Sequence, residues 1–473
     1  MTDTTRRDPR RLNIDRVAVI GAGACGLAAA RYLQAEQAFS LIQVFDQRSV
    51  AGGLWNYTPL TDGQPQEDAV VSPVYDLLET NIPHTLMNYT NEPFPSGSAL
   101  FPEHAVVKSY LQRCAEPVAP LLSLQTEVLS VRKKSNGNGW TVETRHIPSG
   151  TTTATPFDAV VVANGHYSDP FVPAIPGLDS FRQKHPGVVS HAKFYRRAED
   201  SADKKVIVVG NSASGIDISA QIATVCRTPV LVSEKEKDTS ATVNPIAATA
   251  EPSSTIRNVP EIVEFLADDA SSSASVRMAD GTIETAVDAV VFCTGYLYTF
   301  PFLPASYTAA DGSYVPGLYE QLLRADDPTL AFLGIPQRVV PFPVAEAQGA
   351  WVARLYSGRC ALPPAAELVA SPLNGRGAHN LGFPQDVAYI NRLHDRSLQA
   401  DRVPGLANDG VGKMPPYWGP EQAWVRERFP AIKVAFRALG EERQGIGRLE
   451  QLGFDFAAWE KEQQEGKEQK TIE

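Results

Sequence analysis

Two glycine-rich turns, each set between a continuous apolar stretch and a helical one, constrain this chain more than any other feature. The first is Gly21-Ala22-Gly23-Ala24-Cys25-Gly26; the second is Gly210-Asn211-Ser212-Ala213-Ser214-Gly215. In a parallel-sheet unit such a turn opens a helix whose free N–H groups and dipole attract a pyrophosphate. Gly21 permits the tight turn, Gly23 lets backbone amides approach the anion, and Gly26 lets the helix lie close to the sheet. In the second turn Ser212 takes the middle glycine position, small enough to keep the turn open and carrying a hydroxyl for phosphate. Two such units in one chain are hard to explain with one ligand.

Apolar strands are predicted at Val17–Ile20, Leu41–Phe45, Ala159–Ala163, Val206–Val209, Val230–Val232 and Ala289–Phe292. Continuous apolar strands alternating with helices predict an α/β fold with parallel sheets covered on both faces. The expected layout is two Rossmann-like dinucleotide-binding domains. The smaller domain, 176–288, would be inserted into a discontinuous first domain, 1–175 and 289–473, that carries a helical C-terminal region. The proline-rich stretch PFVPAIPG at 170–177 and the segment after Gly295 would be the linkers. The polar run Gln463–Glu473 is expected to fray.

Composition narrows the partners. Formal net charge is −11, and such a surface repels nucleic acid. The five cysteines are scattered and form no CxxC pair, which fits a reducing, cytoplasmic compartment. The eight histidines form no HExxH, so no metal site is expected. Val17–Ala30 holds the glycine turn, which favours strand-turn-helix over a signal peptide. No apolar run is long enough to span a membrane. A homodimer stays open.

Around the turns, Asp46 closes the second strand, where a carboxylate can accept hydrogen bonds from ribose hydroxyls. Gly52 and Gly53 allow another close backbone approach, and Trp55 can cover a flat ring. After the second unit, Ser233 stands where an acid would favour NAD. A hydroxyl there, followed by the cation Lys235 or Lys237, favours the 2′-phosphate of NADP.

Taken together, these residues resemble the flavin-containing monooxygenases (class B flavoprotein monooxygenases), and specifically their fungal branch. The resemblance runs from about Arg16 to Gly358. It is carried by GAGACGL at Gly21–Leu27, GGLWNY at Gly52–Tyr57, TNIP at Thr80–Pro83 and NEPFP at Asn91–Pro95. FPEH at Phe101–His104, ANGH at Ala163–His166, IPGL at Ile175–Leu178 and GNSASG at Gly210–Gly215 extend it. CTGYLYTFPFL at Cys293–Leu303 and VPFPVAEAQ at Val340–Gln348 complete it. The family's identifying stretch reads HPGVVSHAKFY here, with Gly187, His191 and Tyr195 in place and His185 at the position usually held by Phe. Asp46 stands where the family usually has Glu, and Lys235 near a usual Arg, which keeps the charge but loses the planar fork.

The resemblance implies that FAD is reduced by NADPH, that O₂ is then held as a C4a-hydroperoxyflavin, and that one oxygen passes to a nucleophilic sulfur or nitrogen of a small molecule. A secondary-metabolite tailoring role would fit. Asn81 is the implied catalytic residue, because its carboxamide donates and accepts without carrying an acidic proton. The implied cofactor contacts are Gly21, Gly23, Ala24, Cys25, Gly26, Asp46, Gly53, Leu54, Trp55, Thr80, Asn81 and His104 in the first part. Further on they are Tyr195, Gly210, Ser212, Ala213, Ser214, Gly215, Ser233, Lys235, Gly295 and Gln348. Gln348 is expected to open a helix over the flavin ring, and His191 and Tyr195 to order the hinge between domains. Substrate choice would lie in loops, including Thr242–Ile256, and in the C-terminal region. A Baeyer–Villiger oxygenase is the alternative, disfavoured by Tyr195 where those enzymes favour tryptophan. A disulfide reductase lacks its cysteine pair, and a non-catalytic flavin-binding protein is disfavoured by two intact motifs.

Overall fold

Val17, Ala18 and Val19 are wholly buried, and Ile20 is nearly so. A strand buried on both faces belongs inside a parallel sheet. In the computed structural model, which describes residues 8–60, 70–235, 254–266, 273–369 and 371–472, Arg16–Ile20 sits near the middle of a seven-stranded sheet. It pairs in parallel with Leu41–Phe45 on one side and Ala159–Val162 on the other. Leu122–Ser123 extends the sheet beyond Leu41–Phe45, and Leu330–Phe332 extends it beyond Ala159–Val162, both in parallel. Two short antiparallel strands, Leu318–Tyr319 and Leu323–Arg324, close the far edge.

The second sheet has five strands, all parallel, in the order Ile256–Val259, Val230–Ser233, Val206–Val209, Ala289–Phe292, Val189–His191. The fold class is thus α/β with two Rossmann-like sheets. One boundary needs correction. Ala289–Phe292 was expected to return the chain to the first domain, but it pairs with Val206–Val209, from Val206 opposite Ala289 to Val209 opposite Phe292. An apolar strand buried on both faces carries no mark of which sheet it joins. The chain crosses back just afterwards, where Tyr296–Leu297 pairs antiparallel with the outgoing Asp169–Pro170.

The helix Ala24–Ala35 leaves the first glycine turn and packs on the buried helix Pro341–Tyr356. Contact is close: a Cβ on Gly349 would lie 3.3 Å from the Cα of Ala29. The helices Gln385–Leu398 and Pro420–Ala438 join the same hydrophobic cluster through Tyr389, Ile390, Leu393, Trp424, Ile432 and Phe436. On the other face a three-stranded antiparallel sheet, from Thr126 to Phe157, contributes Val131, Trp140, Val142 and Phe157 to a core with Ala18, Ile20 and Phe45. The C-terminal run expected to fray is instead part of the helix Phe456–Ile472. Its Glu, Lys and Gln residues are strong helix formers, and Lys461 pairs with Glu465 one turn on at 3.8 Å. Lys237 and the loop residues 242–253 lie outside the described residues.

Candidate active site

Both glycine turns are built alike. Gly21 has φ +107°, and a Cβ there would lie 2.5 Å from the carbonyl oxygen of Ala163. Gly210 has φ +104°, and its Cβ would lie 2.8 Å from the carbonyl oxygen of Cys293. In each turn the last glycine faces the first. A Cβ on Gly26 would lie 1.7 Å from the oxygen of Gly21, and one on Gly215 would lie 1.9 Å from the oxygen of Gly210. Only glycine fits, and the helix N-terminus is left bare for an anion.

In the first cradle a further close backbone approach narrows the space. Gly53, φ +56°, would place a Cβ 2.7 Å from the Cα of Gly23. Gly53, Leu54 and Trp55 form a single 3-10 turn, with Trp55 packed at the edge of the main core. Asp46 is buried; Oδ2 accepts from the N–H of Ala22 and Oδ1 from the N–H of Arg48, each at 2.8 Å. These bonds fix the carboxylate beside the turn with lone pairs to spare. Ala24 and Cys25 begin the helix, and burial pushes the Cys25 thiol up to about 12, so it stays protonated.

The second cradle offers hydroxyls. Ser212 caps the helix Ala213–Ile222, and among the described residues neither Ser212 nor Ser214 spends its side chain on a protein hydrogen bond. Ser233 does not join them. It is 1% exposed, its hydroxyl donates to the carbonyl of Pro260 at 3.1 Å and accepts from the N–H of Ile262 at 3.2 Å. The expected phosphate role of Ser233 is therefore corrected: the hydroxyl is sealed against the backbone of Pro260 and Ile262. Lys235 is 86% exposed and only loosely paired with Glu261, at 3.8 Å.

Thr80 lies against the helix Pro420–Ala438, whose Lys433 donates to its carbonyl oxygen at 2.8 Å, and Asn81 follows it. Thr80 is buried; its N–H donates to Pro102 O at 3.0 Å and its hydroxyl to Ile82 O at 2.9 Å. Asn81 is half-buried, and its carboxamide has no hydrogen-bond partner among the described residues. His104 opens the helix His104–Ala115 and stacks on Tyr57 at 5.6 Å between centroids. Its Nδ1 is buried without a partner among the described residues, and desolvation lowers its pKa.

One other expectation changes. Gln348 does not open a helix: the helix starts at Pro341, whose missing N–H suits a first-turn position. Gln348 is wholly buried two turns in, accepting from Gly334 N and donating to Tyr389 Oη, both at 2.9 Å. Tyr195 is also enclosed; its hydroxyl donates to Gln221 at 3.1 Å and its ring meets Tyr75 edge-on at 5.3 Å. His191, close by, bonds through Nε2 to the carbonyl of Gly295 at 3.1 Å, at the crossing back to the first sheet.

Sequence reasoning missed four residues: Glu234, Glu79, Lys433 and Arg443. Glu234, one place beyond Ser233, reaches the second glycine turn through Asn211 at 2.9 Å. Counting 19 positions past Gly215, as Asp46 is 20 past Gly26, would have found it. Lys433, on the helix Pro420–Ala438, donates to Glu79 Oε2 at 3.3 Å, and Arg443 donates to Glu79 Oε1 at 2.9 Å. Burial lowers the Lys433 ammonium to about 8. No local signal links Glu79 to a lysine so far along the chain. Among the described residues no group of three or more His, Cys, Asp or Glu could hold a metal ion, and no helix is long and apolar enough to cross a membrane.

Two dinucleotide turns built alike, each opening a helix from a parallel sheet, define a flavoprotein oxidoreductase of the two-dinucleotide class. The chain belongs to the flavin-binding monooxygenase-like (FMO-like) family, whose family model matches residues 14–256 and 266–380. It is therefore a monooxygenase, in a family that uses FAD and NADPH. It is 35% identical over 402 residues to the flavin-containing monooxygenase FMO GS-OX4 of Arabidopsis thaliana, covering 81% of this chain and 82% of that protein. FMO GS-OX5 of the same plant is 35% identical over 408 residues, again covering 81% and 82%. The S-allyl-L-cysteine S-oxygenase of Allium sativum superposes with a TM-score of 0.74 at 29% identity, covering 92% of this chain and 96% of that one. These relatives are plant proteins and lend no support to the expected fungal branch.

Proposed function

We propose that this chain transfers one oxygen atom of O₂ to the nucleophilic sulfur of a small molecule, with FAD in the first cradle and NADPH in the second. The observation that carries the reading is the pair of like-built glycine turns in one chain, together with an unpaired Asn81 carboxamide on the segment held by Lys433. Sulfur is favoured over nitrogen by the likeness to the Allium S-oxygenase, which extends over nearly the whole of both chains.

The residues of both turns suit the cofactors, because each cradle is closed to any side chain at its last glycine. FAD reduced by NADPH supplies the activation of O₂. Gly21, Gly23, Gly26 and Asp46 would hold its pyrophosphate and ribose; Gly210, Ser212, Ser214 and Gly215 would hold the nicotinamide nucleotide. Asn81 would orient the reacting oxygen through a carboxamide that cannot act as an acid near neutral pH. Burial lowers His166, His191 and His379 to about 4, so these three imidazoles are neutral near pH 7.

Cytoplasmic placement belongs to the same proposal and is supported by five unpaired cysteines. The test is turnover of a panel of thioethers and tertiary amines under ¹⁸O₂ with NADPH. One labelled oxygen in a sulfoxide, with matching NADPH consumption, is the expected result. A purified chain that takes up no flavin when offered it ends the proposal.

A further inference from the structure

We propose that Glu234 fits the second cradle to NADH as well as NADPH, by binding the free 2′,3′-diol of the adenosine ribose. The inference rests on the reading of that cradle as the nicotinamide site and asks which form of the nucleotide it admits.

The argument starts from register. In the first sheet Ile20, the residue before Gly21, lies opposite Phe45, so Asp46 is the first residue beyond the pair. In the second sheet Val209, the residue before Gly210, lies opposite Ser233, so Glu234 is the first residue beyond. Ser233 thus matches Phe45, a buried position, and Glu234 matches the acid. Their bonds match as well. Asp46 accepts from the backbone of Ala22, next to Gly21, at 2.8 Å. Glu234 accepts at Oε2 from the side chain of Asn211, next to Gly210, at 2.9 Å. Its other oxygen accepts from Asn258 Nδ2 at 3.2 Å, on the neighbouring strand. Two carboxamides from opposite sides therefore hold a half-buried carboxylate at the corner of a dinucleotide turn.

A carboxylate at that corner has a chemical preference. Each oxygen keeps a lone pair for a ribose hydroxyl, and a vicinal diol supplies two donors. A 2′-phosphate supplies no donor when fully ionised and brings about −1.5 to −2 charges next to a like charge. Lys235, adjacent and 86% exposed, is free to swing toward a phosphate and offset part of that repulsion. The two neighbours pull in opposite directions: Glu234 selects the diol, and Lys235 keeps the phosphate form acceptable.

Equilibrium titration of the FAD-loaded protein with NAD⁺ and with NADP⁺, by calorimetry, tests this without relying on turnover. We expect the wild-type Kd for NAD⁺ to fall within about tenfold of that for NADP⁺. Glu234→Gln should weaken NAD⁺ by roughly tenfold and tighten NADP⁺, while Lys235→Ala should weaken NADP⁺ alone. Bound-flavin absorbance reports that each variant is folded. Binding of NADP⁺ with no NAD⁺ binding at a hundredfold higher concentration overturns the inference and leaves the proposed function standing, as does an unchanged NAD⁺ affinity in Glu234→Gln. Failure of the yellow protein to bind either nucleotide overturns both.

Discussion

Lys433 donates a hydrogen bond of 2.8 Å to the carbonyl oxygen of Thr80, the residue before Asn81. The ammonium is buried, bonded to Glu79 as well, and held at about 8 against an ordinary 10.5. Folding therefore favours the neutral amine. Between about pH 8 and pH 10.5 the unfolded chain binds the extra proton, so this group adds stability as pH rises through that window. In Lys433→Met the gain is absent. Urea unfolding at pH 7 and pH 10 should show the wild type gaining on the variant by on the order of 1–3 kcal/mol; equal pH dependence in the two proteins would sink the assignment.

Asn81→Leu should leave the flavin in place, because Asn81 makes no protein bond that the fold needs. NADPH oxidation should continue while oxygenated product falls by a factor of about 10² or more, with hydrogen peroxide released in its stead. The check is the ratio of peroxide to product. Unaltered coupling would remove Asn81 from the chemistry.

Gly26→Ala and Gly215→Ala separate the cradles. Each adds a Cβ less than 2 Å from a backbone oxygen that cannot step aside. Gly26→Ala should lose flavin, giving a pale protein destabilised by at least about 1–3 kcal/mol. Gly215→Ala should stay yellow yet be bleached at least tenfold more slowly by NADPH under anaerobic conditions. Loss of colour in Gly215→Ala would mean that the two lobes do not bind separately.

Acid should loosen the fold through His191 and His379. Both are buried, and burial lowers each to about 4. Between the ordinary value of 6.5 and about 4, the unfolded chain binds protons that the folded chain refuses, so stability is lost as pH falls through this range. Each should cost on the order of 1–2 kcal/mol at pH 5. A shallower acid dependence in His379→Gln than in the wild type is expected; an identical one would refute its neutral state.

What could be read in advance follows the range of the forces involved. Gly26 and Gly215 were legible because a backbone clash five residues away leaves little choice of side chain, and Gly21 and Gly210 because the tight turn takes a positive φ. Ser233 was misread by one place. A run such as Val230-Leu231-Val232-Ser233 does not announce where it ends, and the bonds that bury Ser233 come from Pro260 and Ile262, beyond the strand. Ala289–Phe292 was assigned to the wrong lobe for a related reason, since apolar strands fit either sheet equally. Gln348 sits in a matched motif, but Tyr389 and Gly334, which claim its amide, are separated from it in sequence. Lys433 was invisible, because the contact that gives it meaning closes a very long loop.

That loop has a consequence in time. Thr80 and its lysine are 353 positions apart. During synthesis at about 5–20 residues per second, Thr80 waits roughly 20–70 s for Lys433 to emerge. Every strand of both sheets leaves the ribosome first. A nascent chain can thus own two finished cradles while the segment beside Asn81 still lacks its clasp, so the power to bind cofactors is born before the power to spend them well.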